Sequence, residues 1–182
     1  MFKLFGLNRK EKIKAQELAT VYSKTLFEVI DAGFDEIIDF INDNSKFEQS
    51  PNIKADDKQW FFTIVIVANN HTLKDYFEEE MIQRLQSSSI AELADVIQKE
   101  ETLLREVIYD YEAFFKAQLA SGMSIEKIMA KSIFMHYNLN EFQGELLKNQ
   151  NEPNPVFLQE LTDLMSHFMW NWPNYMEKYR IV

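Results

Sequence analysis

Asp31, Asp35, Asp39 and Asp43 recur every four residues, with Glu28 and Glu36 among them and no Lys or Arg from residue 28 to 43. On a helix such neighbours sit about 5–6 Å apart at Cβ, and like charges there repel by about 0.2–0.5 kcal/mol per pair. A cation or a basic protein partner would relieve that repulsion. Two facing helices of this kind can hold Mg²⁺, which takes oxygen ligands and keeps several waters, and through it a diphosphate. Glu92 and Asp95 have a compatible spacing, but nothing in the sequence places them opposite the first set. The same aspartates fill the gaps between apolar positions, as a solvated helix face does. The stripe is expected to be solvated first, a partner surface second and a metal site third.

His71 with Asp75, and Asp163 with His167, pair an imidazole and a carboxylate at helical spacing and are the weak metal candidates. Di-metal sites in helical bundles use Glu-x-x-His from two helices, and that spacing is absent around all three histidines. With 29 acids in 182 residues, a histidine has about an even chance of an acid at one of its four helical neighbour positions, so two of three is what chance delivers. Asp75 is also accounted for as the capping partner of Thr72. No Gly-x-Ser-x-Gly elbow or glycine-rich phosphate loop is present, because Gly6, Gly33, Gly122 and Gly144 stand apart. Nothing points to a catalytic residue or a cofactor.

A soft, aromatic chain end is the third feature. Met123, Met129, Met135, Met165, Met169 and Met176 accompany Phe168, Trp170, Trp172, Tyr175 and Tyr179. Thioethers and rings can line an adaptable groove for a partner helix or an apolar ligand, although at helical spacing they more often form core. Trp170 lies off the Phe168/Trp172 stripe, so it is expected to be exposed, in an interface or covered by residues 174–182. Trp170, Tyr175 and Met176 are the residues expected to meet a partner there.

The elements that must position these groups follow from composition and periodicity. The chain has 182 residues, no cysteine, 15 phenylalanines, four glycines, four prolines and a net charge of −10. That length suits one domain with a core that needs no staples. Without cysteine there is no disulfide framework, thiolate zinc site or cysteine nucleophile. The acidic balance argues against nucleic acid, whose binding requires phosphate neutralisation. Scarce glycine weighs against a hairpin-rich β fold. The charge divides unevenly: residues 1–14 carry five basic groups against Glu11, or +4, and the rest carry 14 against 28, or −14. The basic, aromatic leader at 1–8 and the lysines beyond it allow weak peripheral contact with an anionic membrane through Phe2, Phe5, Lys10 and Lys12. The longest apolar stretch, Phe61–Ala68, is far short of the roughly 20 residues of a spanning helix.

Apolar residues keep helical phase from Leu18 to Ile41, predicting one helix from about Arg9, behind an Asn8/Glu11 capping box, to Asp43, with a break at Gly33 as the other possibility. After a loop at 44–55, Asp56/Gln59 caps a helix buried nearly all round, Trp60–Ala68. A strand there is disfavoured because no second β-branched run could pair with it. Asn69-Asn70 ends that helix, and Thr72/Asp75 opens another to about Leu85. Ser87-Ser88-Ser89 reads as a turn, with a Ser89/Glu92 capping box opening a helix of about 31 residues, ~46 Å at 1.5 Å per residue, that ends before Gly122. Ser124 caps a helix to about Tyr137, Asn140 a short one to about Lys148, and Asn154-Pro155 a last one that Pro173 stops.

The expected fold is all-α: a single-domain antiparallel bundle of about six to eight helices spanning 1–182. The expected function is that of a non-enzymatic, cytoplasmic protein-interaction or regulatory module using the acidic face or the Met/aromatic end. A binder of an apolar ligand or anionic membrane surface is the second reading, and a metal-dependent helical-bundle enzyme the third.

Overall fold

Apolar side chains at every third or fourth position from Leu18 onward give α1 (Ala15–Asn42) a single buried face of Leu18, Tyr22, Leu26, Ile30, Phe34, Ile37 and Ile41. The computed structural model describes residues 10–182; the Asn8 cap, Phe2 and Phe5 lie outside them. α1 runs unbroken through Gly33, where a Cβ would come within 2.6 Å of the Phe168 ring. The glycine therefore admits a ring edge from the far end of the chain. That close approach accounts for a residue costing about 1 kcal/mol in helix propensity relative to Ala.

Further helices are α2 (Gln59–Thr72), α3 (Glu79–Ile97), α4 (Glu101–Ala120), α5 (Ile125–His136), α6 (Glu145–Gln150), α7 (Pro155–Met165) and α8 (Trp172–Lys178), with 3₁₀ turns at Leu73–Asp75, Leu139–Phe142 and Ser166–Phe168. The architecture is all-α. α2 is its axis: every residue from Phe61 to His71 is buried, and it packs against α1, α3, α4 and α5. A helix is the only way to satisfy that backbone internally while apolar side chains leave on all sides. No helix among the described residues is long and apolar enough to cross a membrane.

Several boundaries differ from those the sequence implies. α1 begins at Ala15, not near Arg9, because Glu11–Ile13 (β1) pairs in parallel with Tyr179–Ile181 (β2), Ile13 opposite Ile181. Val182 N–H extends the pairing to Ile13 O at 2.9 Å, and Lys10 Nζ donates to Met176 O at 2.6 Å. Asp56 and Gln59 form no capping pair, since α2 starts behind Lys58 without a side-chain cap. α2 continues past Asn69-Asn70 to Thr72, and the next α-helix opens at Glu79 rather than at Thr72.

The serine triplet is no turn. α3 passes through it, and Ser88 Oγ bonds Ala19 O at 3.2 Å and Ser23 Oγ at 2.9 Å across the α1–α3 contact. The break comes later, at Gln98, which takes a left-handed conformation (φ 53°) and divides the expected long helix into α3 and α4. Asn140 lies in a 3₁₀ turn instead of capping α6. Pro173 sits in the first turn of α8 and so starts a helix instead of stopping one. The Ser124 and Asn154 caps form as expected, through Lys127 N–H and through Val156 and Phe157 N–H respectively. Gly122 follows α4 with φ +85°.

Candidate functional site

The break at Gln98 turns the chain so that the end of α3 and the first turns of α4 stand over the N-terminus of α2. Tyr137, just past α5, donates its hydroxyl to Asp57 O at 2.7 Å and so fixes the loop that enters α2. Between these elements lies a half-open cavity of about 190 Å³. Ile97, Leu103, Leu104 and Val107 form its apolar wall, Trp60 faces them, and Gln59, Thr63 and Lys99 supply its polar groups. Thr63 spends its hydroxyl on Gln59 O at 2.8 Å. Leu103 is 56% exposed at the mouth.

Behind Trp60 the wall is aromatic. His136 stacks on the indole at 4.0 Å between centroids, and Tyr111 lies 6.2 Å from Trp60 and 5.3 Å from His136. Burial holds the His136 pKa below its ordinary value, so the ring is a neutral plate at neutral pH. The Tyr111 hydroxyl is buried without a partner. Trp60, His136 and Tyr111 thus stack into one aromatic wall behind the apolar cavity. Sequence periodicity assigned Trp60 to the core and left Leu103 off the α4 stripe. The adjacent Leu103-Leu104 pair, which widens the apolar arc of α4, was the signal for it.

The residues singled out by spacing lie elsewhere. Asp31, Asp35 and Asp39 are exposed along α1 and Asp43 is exposed just past its end, and Asp31 pairs with Lys58 at 2.6 Å. Among the described residues, no group of three His, Cys, Asp or Glu side chains could hold a metal. His71 is buried at the end of α2 with its Nε2 2.9 Å from Lys74 Nζ, which makes that nitrogen the acceptor; a metal would have to displace the ammonium. Asp163 accepts from Gln159 at 2.9 Å, and His167 is exposed in the following 3₁₀ turn. His71/Asp75 and Asp163/His167 are not brought together into one site.

At the Met/aromatic end, Met129 and Met165 are core. Trp170 is half-buried, with Tyr22 at 5.4 Å, Trp172 at 5.5 Å and Tyr175 at 5.8 Å. Tyr175 belongs to the covering tail, as the sequence allowed, and Met176 is half-buried beside it. The rings are thus occupied with one another and with α1.

Burial also lowers the His71 pKa, with Lys74 and Lys116 adding to the effect and Asp75 opposing it. A histidine depressed in the folded state binds fewer protons than in the unfolded chain, so it costs stability as the pH falls through about 6.5. His136 acts in the same direction. Unfolding midpoints measured across a pH series are expected to drop on that acid side and to drop less in His71→Gln, whose amide can still accept from Lys74. Identical profiles for the two proteins would contradict the buried, neutral state of His71.

No protein-family model matches this chain, and neither curated proteins nor solved structures show significant similarity to it.

Proposed function

We propose that the protein is a non-enzymatic binding module that takes a small apolar ligand in the Trp60 cleft. The observation that carries this reading is a preformed apolar cavity of about 190 Å³ that opens to solvent beside an exposed leucine. An apolar cavity near 150 Å³ holds benzene and stays dry without it, so this one matches a single ring or a short alkyl chain. Drug-sized ligands use roughly 300–1,000 Å³, more than this cleft encloses.

Titration of the full chain with indole, followed by heteronuclear NMR, tests the reading. Shifts are expected at Trp60, Thr63 and Leu104, and they should vanish in Leu103→Trp, where the new side chain fills the mouth. Leu103 is exposed, so that variant should fold. An unperturbed spectrum up to the solubility of indole would overturn the proposal.

A second reading is contact between a basic protein partner and the acidic face. It is favoured by the exposure of Asp35, Asp39 and Asp43, none of which has an ion-pair partner among the described residues. Salt separates the two: contact along α1 weakens as ions screen it, whereas binding of neutral indole does not.

A further inference from the structure

The cleft carries one formal charge in a strongly acidic protein, and its sign is positive. Lys99 lines it, no carboxylate does, and among the described residues Lys99 has no ion-pair partner. Glu100 follows it in the chain, and Glu101 is engaged by Arg105 one turn on. We infer that the ligand is a small anionic amphiphile: a carboxylate joined to one ring or short alkyl chain, its apolar body against Trp60 and Leu104 and its carboxylate at Lys99. This rests on the reading of the cleft as a ligand site.

The net charge of −10 opposes an anion in the cleft only weakly, because charges more than about 8 Å away are largely screened at physiological ionic strength. Within the cleft the nearest charge decides. A lysine can lay its alkyl stem along the apolar wall and keep its ammonium at the water boundary, where the head of an amphiphile would emerge. Exposed ion pairs are individually weak, so the lysine sets a preference of about threefold and the apolar wall supplies the rest.

Three ligands of one shape test this on the full chain by calorimetry or NMR: phenylpropionate, its neutral amide phenylpropanamide, and the cation phenylpropylamine. The expected order is acid tighter than amide by about threefold, and amide tighter than amine. Lys99→Gln should level the acid with the amide, and Lys99→Glu should place the amine first. Lys99 is exposed in the link between α3 and α4, and the circular dichroism of both variants should match that of the parent chain. Equal affinity for acid and amide in the parent chain, or a preference that survives Lys99→Gln, would overturn the anion inference and leave the cleft standing. Failure of all three ligands to bind would overturn the cleft reading and this inference with it.

Discussion

Trp172→Ala is expected to lower the free energy of unfolding by about 3–5 kcal/mol, the usual cost of removing a fully buried large aromatic. Trp172 is 0% exposed, the largest side chain in the core. Its ring meets Phe77 at 4.7 Å, Tyr22 at 5.1 Å, Trp170 at 5.5 Å and Tyr175 at 6.1 Å, so it joins α1, the segment before α3, and α8. Truncation would leave rings on three sides facing a void, and edge-to-face pairs contribute about 0.5–1.5 kcal/mol beyond area. For a chain of this size the melting temperature should fall by roughly 6–20 °C. Trp172→Phe separates packing from polarity. It keeps most of the ring and removes an indole N–H that is buried without a partner, so its cost should be well under half as large. Denaturant midpoints for the two variants check this, and a loss within about 0.5 kcal/mol for Trp172→Ala, typical of a surface site, would show that the aromatic cluster does not hold the chain ends.

The same cluster marks how far the sequence can be read. All-α architecture and the single phase of α1 follow from periodicity, which depends on a long run of side chains that no single residue can alter. Continuity through Gly33 is the preferred of two readings, and the buried α2 follows from the lack of a second β-branched run to pair with it. What the sequence misplaces are breaks decided by a partner elsewhere. A Ser-x-x-Glu spacing at Ser89 and Glu92 has the form of a capping box, yet the serine hydroxyls here bond Gln86 O, Asn70, Ser23 and Ala19, and small side chains mid-helix let α3 approach α1. Gln98 adopts a left-handed turn that glycine normally occupies, so nothing local announces it. Because that turn forms the cleft, the site was hidden together with the break. Pro173 was ambiguous by nature: proline ends a helix from within and opens one from its first turn, and only the departure of the chain after Phe168 decides between them. The strand pair was invisible for a related reason, since three-residue segments separated by most of the chain carry no periodic signal.

Asn69→Ala should cost roughly 2–6 kcal/mol, far more than its size implies, because leaving a buried polar group unpaired costs about 1–3 kcal/mol and this change orphans two. Asn69 is wholly buried in α2. Its amide donates to Val65 O and Phe168 O, both at 2.9 Å, and its oxygen accepts from Trp170 N–H at 2.8 Å. One side chain thereby satisfies both faces of the turn that carries Phe168 into the space beside Gly33 and swings Trp170 toward Tyr22. Asn69→Asp distinguishes this role from simple space filling. The carboxylate could still accept from Trp170 but could donate to Phe168 O only when protonated. Burial raises the pKa of a carboxyl group, so the folded state would bind more protons than the unfolded chain. Stability of this variant should rise as the pH falls, opposite to the trend set by His71. If its stability instead tracked the parent chain across pH, Phe168 O would not depend on Asn69. A double-mutant cycle then tests whether the turn acts as a unit. Asn69→Ala and Phe168→Ala remove two attachments of the same segment, so together they should cost less than their sum by more than about 0.5 kcal/mol, the limit within which independent sites add. Additive losses would mean that the Phe168 ring at Gly33 and the amide at Asn69 hold the turn separately.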